Sequence, residues 1–90
     1  MRTIILDGHH YETRDQLHDA LKEKLELPDY YGCNLDALWD CLTGWIELPL
    51  MIQWTHFEQS EIHLGDYSHQ LLDLFREAEE ELAGFQLLVE

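Results

Sequence analysis

Asp36 and Asp40 stand four residues apart in the segment NLDALWDCLTG, residues 34–44, and no lysine or arginine lies between Lys24 and Arg76. At that spacing two side chains share one helix face. A carboxylate pair can do general acid–base work in a cleft, or it can supply desolvated charge at a protein interface. At 100° per residue Leu35, Leu38 and Leu42 fall on one side, and Asp36, Asp40 and Thr43 on the other, with Trp39 at the border. Tyr30, Tyr31 and Gly32 precede the helix, and Gly44 and Trp45 follow it. One exposed patch can thus combine two carboxylates, aromatic rings and accessible backbone.

Local energetics single out Asp40. The like-charged pair costs an isolated helix about 0.2–0.5 kcal/mol. A carboxylate near the negative end of the helix dipole loses roughly 0.3–1 kcal/mol more. Asp36, in the first turn, is favoured by the same dipole and has a purely structural reason to be there. Asp40 has none, unless Arg2, Arg14 or Arg76 reaches it from elsewhere in the fold. An enzyme would need a concave site with a base and a nucleophile, and a convex helix face offers no such pocket. The sequence also has no glycine-rich phosphate loop, no Ser/Cys–His–acid order and no zinc spacing. His9-His10 reads as a turn pair and the other four histidines as scattered, solvated side chains, so no metal or cofactor is expected.

The rest of the chain must hold this helix in place. Ninety residues with 46% hydrophobic residues and ten Trp, Tyr and Phe can build one globular domain over residues 1–90. TIIL (3–6), ended by Asp7-Gly8, reads as a strand. Thr13 to Gln16 resembles a capping box before a helix on Leu17, Ala20, Leu21 and Leu25, stopped by Pro28. Asn34 suits the N-cap of the second helix, which runs to about Thr43 with Gly44 capping its end. LPLMIQW (48–54) is a second strand whose continuous apolarity predicts a central position buried on both faces. Thr55 to Glu58 is a further capping box opening a short third helix. A fourth helix over about 67–82 carries Leu71, Phe75, Ala78 and Leu82 on one stripe, and FQLLV (85–89) is the last strand. The order βααβααβ predicts a parallel three-stranded sheet with right-handed crossovers and about four helices packed against it. The first strand is a candidate edge.

Charge narrows the partners. The net charge is −14, and nine acids fall between Lys24 and Arg76. Phosphate binding needs Lys and Arg, so neither nucleic acid nor an anionic membrane suits this surface. Two readings of the charge remain open: a solubility surface, or a field that steers a basic partner. No apolar run reaches the roughly 20 residues that span a bilayer. The opening MRTIILDG is too short to be a signal peptide, and two cysteines without one suggest a reduced, cytoplasmic chain. A Cys33–Cys41 bridge is not expected.

The segment LPDYYGCNLDALWDCLTGWIELPL (27–50), with Trp54, FEQS (57–60) and FREA (75–78), resembles the barstar family of intracellular inhibitors of barnase-type ribonucleases. The resemblance is dense over residues 27–61, recurs in the fourth helix and is sparse but collinear before residue 27. It implies a small parallel α/β fold whose second helix and preceding loop plug the active site of a basic, secreted ribonuclease in a one-to-one complex. The free inhibitor would be a monomer. By matching position, Asp40 resembles the residue that enters the enzyme's phosphate pocket and pairs with its arginines. Asp36 resembles the carboxylate facing a further basic residue, and Tyr30 the tyrosine packing on the catalytic histidine. Gly32, Asn34, Trp39, Thr43 and Gly44 match supporting contacts, and Glu77 a peripheral acidic one; Tyr31 joins the candidate patch. The resemblance also implies a cis Leu48–Pro49 bond. Cys33 replaces an acid of the family, and Ala83 replaces a late cysteine. A different basic toxin domain, bound without inhibition, is the competing reading of the same helix.

Overall fold

A computed structural model describes residues 2–90. Strands β1 (Arg2–Asp7), β2 (Leu50–Thr55) and β3 (Phe85–Val89) form one parallel sheet in the order β1-β2-β3. Helices α1 (Arg14–Lys24) and α2 (Leu35–Gly44) join β1 to β2, and α3 (Phe57–Leu64) and α4 (Asp66–Glu81) join β2 to β3. A 3-10 turn (Gly8–His10) follows β1. The βααβααβ order and the parallel pairing are those expected, and β1 is indeed an edge.

The centre of the sheet departs from expectation. In β2 only Leu50, Ile52 and Trp54 are fully buried, while Met51, Gln53 and Thr55 are partly exposed. The same alternation runs through β1, with Ile4 and Leu6 inside, and β3, with Phe85 and Leu87 inside. One face of the sheet is therefore covered by the helices and the other is open, where Ile5 and Leu88 are exposed. An unbroken apolar run signals burial, but here it fills a central strand whose second face is only half shielded. The core is built on Trp54, Phe75, Leu6, Leu38, Leu42 and Leu71, none more than 2% exposed. Trp54 meets Phe57 and Phe75 edge-on, and its indole N–H donates to Ser60 Oγ at 3.0 Å.

Several element ends are made differently from the sequence signals. Thr13 Oγ1 accepts from Gln16 N at 3.1 Å, but Gln16 Oε1 accepts from Glu12 N, one residue before the cap. α1 ends at Lys24, where Glu26 turns into the left-handed region (φ 54°) and Leu27 N donates to Lys22 O; the helix has already closed before Pro28. Gly44 is the last residue of α2 rather than a left-handed cap beyond it, because the chain leaves through Trp45 in a helical conformation. The capping box at Thr55–Glu58 does not form. Thr55 ends β2 with its hydroxyl toward Leu6 O, and α3 starts from His56 in the left-handed region with no side-chain cap. Leu48–Pro49 is cis, as the resemblance implied. Both cysteines are free.

Candidate functional site

The loop before α2 is anchored by a side chain read as a surface candidate. Tyr30 and Tyr31 are neighbours with opposite fates: Tyr30 is 81% exposed and Tyr31 only 7%. The Tyr31 hydroxyl lies 2.6 Å from His18 Nδ1, and the Tyr67 hydroxyl lies 2.6 Å from His18 Nε2. A neutral imidazole donates through one nitrogen and accepts through the other, so one tyrosine accepts and the other donates. Burial holds the His18 pKa below its usual range despite the pull of Asp15 and Asp19, and pushes both phenols up. Tyr31 is thus a core tie between the loop, α1 and α4, and its ring is withdrawn from the candidate surface. The expectation that the histidines are all solvated fails with His18, which is fully buried.

Asn34 then starts the helix. Its Oδ1 accepts from Ala37 N at 2.7 Å and its Nδ2 donates to Gly32 O at 3.2 Å, so one side chain fixes both the first turn and the loop before it. Cys33 takes the left-handed conformation between them (φ 53°). Leu38, Cys41 and Leu42 face the core, with Leu35 and Trp39 half-buried at its edge. Asp36, Asp40, Thr43 and Gly44 are exposed, as the helical spacing required. The Thr43 hydroxyl donates back to Trp39 O at 2.9 Å. Trp45, half exposed, donates from its indole to Glu26 O at 3.1 Å.

Packing of α2 on α4 makes the surface larger than the helix alone. A groove of about 420 Å³ runs between them, walled by Asp36, Asp40, Asp73 and Glu77, with Leu35 and Trp39 among its apolar lining. The structure therefore brings Glu77 to the two aspartates and adds Asp73, which the sequence reading missed. Asp73 and Glu77 are four apart on α4, as Asp36 and Asp40 are on α2. That spacing was visible in the sequence; their nearness to α2 was not. Tyr30, Gly32 and Asn34 do not line this groove.

Among the described residues none of these four acids takes part in an ion pair. The arginines are engaged elsewhere: Arg2 lies 4.0 Å from Glu26, Arg14 sits 4.3 Å above the Tyr67 ring, and Arg76 pairs with Glu79 at 3.1 Å. No cation among the described residues comes to rescue Asp40.

Fold and surface together define a small parallel α/β protein with an uncompensated acidic face on its second helix. Residues 1–90 match the family described as Barstar (barnase inhibitor), and the chain belongs to that family. It is 53% identical over 91 residues, spanning the whole of both chains, to a Bacillus subtilis (strain 168) protein named "Putative ribonuclease inhibitor YrdF". The family is one of inhibitors rather than enzymes. No helix among the described residues is long and apolar enough to cross a membrane.

Proposed function

We propose that this protein inhibits a barnase-type ribonuclease by seating Asp40 and Asp36, with the loop carrying Tyr30, in the enzyme's cationic active-site cleft. The observation that carries the reading is the acidic groove between α2 and α4, whose carboxylates pair with no cation among the described residues. A carboxylate presents oxygens to an arginine fork much as an RNA phosphate does, and such charge-assisted pairs are short and strong. Asp40 is the central contact and Asp36 its neighbour. Asp73 and Glu77 extend the negative field to the second wall of the groove, where Trp39 adds apolar lining, while Gly32, Asn34, Thr43 and Gly44 contribute contacts from the loop and helix outside it. Membership of the barstar family supports ribonuclease inhibition, and the name of the Bacillus subtilis relative points the same way.

The test is titration of a small basic ribonuclease encoded beside the gene. RNA cleavage should fall linearly to zero at one inhibitor per enzyme. Tight binding that leaves cleavage intact would replace this reading with that of a non-inhibitory module for a basic toxin domain.

A further inference from the structure

At the end of β1 the structure assembles side chains that the sequence keeps far apart. In the parallel register Asp7 pairs with Thr55, so His56 follows directly beside Asp7 and the turn Gly8–His10. Gly8 allows the approach: a Cβ there would stand 2.1 Å from the His56 carbonyl oxygen. His56 itself is held in the left-handed region (φ 53°, ψ 49°), a conformation uncommon outside glycine. The rings of His9 and His56 lie with centroids 4.0 Å apart, tilted by 33° to one another. The Asp7 Oδ1 atom lies 3.1 Å from His56 Nδ1 and 3.5 Å from His9 Nδ1.

We propose that Asp7, His9 and His56 form a binding site for a divalent transition-metal ion of the zinc class, with water completing the coordination. Among the described residues this is the group of three His, Cys, Asp or Glu side chains whose donor atoms all lie within 4.8 Å of one another. Imidazole nitrogens with one carboxylate oxygen are the donor set that zinc and its neighbours favour. Tetrahedral coordination with bonds of 2.0–2.2 Å separates donors by about 3.4 Å. Two of the donor separations already match that value. The third separation, between the two imidazoles, is within 4.8 Å, and both rings are half exposed. A cavity of about 420 Å³, lined by His9, His56, Glu58, Gln59 and Glu90, adjoins the cluster and leaves room for water ligands. His10 Nε2 lies 3.7 Å from the other carboxylate oxygen, Asp7 Oδ2, and is not one of the three mutually close donors.

The feature does not depend on the ribonuclease reading. No residue of the cluster lines the α2–α4 groove.

Zinc chloride titrated into the untagged, EDTA-stripped full chain should show one site per chain with micromolar affinity. Excess zinc should raise Tm by several degrees, reversibly with EDTA, because an ion that binds only the folded state stabilises it. His9→Gln and His56→Gln should each weaken binding at least tenfold, with circular dichroism confirming that the variants fold. His69→Gln, which alters the separate His69–Glu61 pair, should leave the affinity unchanged. Absence of saturable binding at millimolar zinc would overturn the proposal, as would undiminished affinity in the His9→Gln, His56→Gln double variant.

Discussion

Asp40 carries a charge that its own helix disfavours, and no cation among the described residues pairs with it. Removing that charge should relieve the repulsion from Asp36 and the clash with the helix dipole, worth together about 0.5–1.5 kcal/mol at most. Asp40→Ala is therefore expected to melt at or above the parent temperature while losing at least a hundredfold in affinity for the ribonuclease. Glu26→Ala, outside the groove, should lose less than threefold. Comparable losses in the two variants, measured by surface plasmon resonance, would remove Asp40 from the centre of the interface. His18 makes the opposite kind of statement, because its role is internal. Its folded pKa lies below the unfolded value near 6.5, so the unfolded chain takes up the proton first as pH falls. The stability this group contributes is fully present above about pH 6.5 and shrinks as pH drops toward the folded pKa. Urea unfolding at pH 7.5 and pH 5 should show this decline, over and above that of the carboxylates. The decline should be reduced in His18→Asn if the triad with Tyr31 and Tyr67 is its source.

At the scale of elements, legibility follows how local the signal is. Asn34 was readable as an N-cap because its acceptor serves an amide three residues on, within its own turn. Its truncation, Asn34→Ala, should cost about 1 kcal/mol in urea unfolding, with Asn34→Gly costing only a few tenths. The Thr55–Glu58 box failed as a signal because Thr55 is claimed by the β1–β2 pairing and its hydroxyl turns to Leu6 O, a contact 49 residues distant in sequence. Tyr31 misled for the same reason: nothing near it announces that His18 and Tyr67 await its hydroxyl. Gly8 is the element-scale residue with the sharpest consequence. Ala at this position would press its Cβ against the His56 carbonyl and Ser60 Oγ, both closer than real contacts permit. Gly8→Ala should therefore destabilise by more than the 1–3 kcal/mol typical of overpacking, or fail to accumulate as folded protein. Gly44→Ala is the control. A Cβ there meets nothing within 4 Å, so its stability should be unchanged or slightly raised by the better helix former.

On the scale of the molecule, the acidic face is made by topology, and the sequence showed only half of it. Helical spacing exposed Asp36 and Asp40, but the second wall, Asp73 and Glu77, arrives because the crossover lays α4 beside α2. The sequence's net charge of −14 does not by itself distinguish a steering field from a solubility coat; how association depends on the position of the charge is what separates them. Steered association is fast at low salt and slows as the Debye length falls from about 30 Å at 0.01 M to about 8 Å at 0.15 M. The barnase–barstar pair is itself a standard illustration of this effect. The association rate with the ribonuclease should accordingly drop at least tenfold over that range, with little change in dissociation. Two charge reversals separate layout from total. Asp73→Lys and Glu58→Lys alter net charge equally, but Glu58 lies on α3 away from the groove. Asp73→Lys should slow association severalfold more than Glu58→Lys in stopped-flow measurements at 0.01 M salt. Equal slowing would mean that the enzyme is drawn by the whole molecule's charge and that the groove has no special part in guiding it.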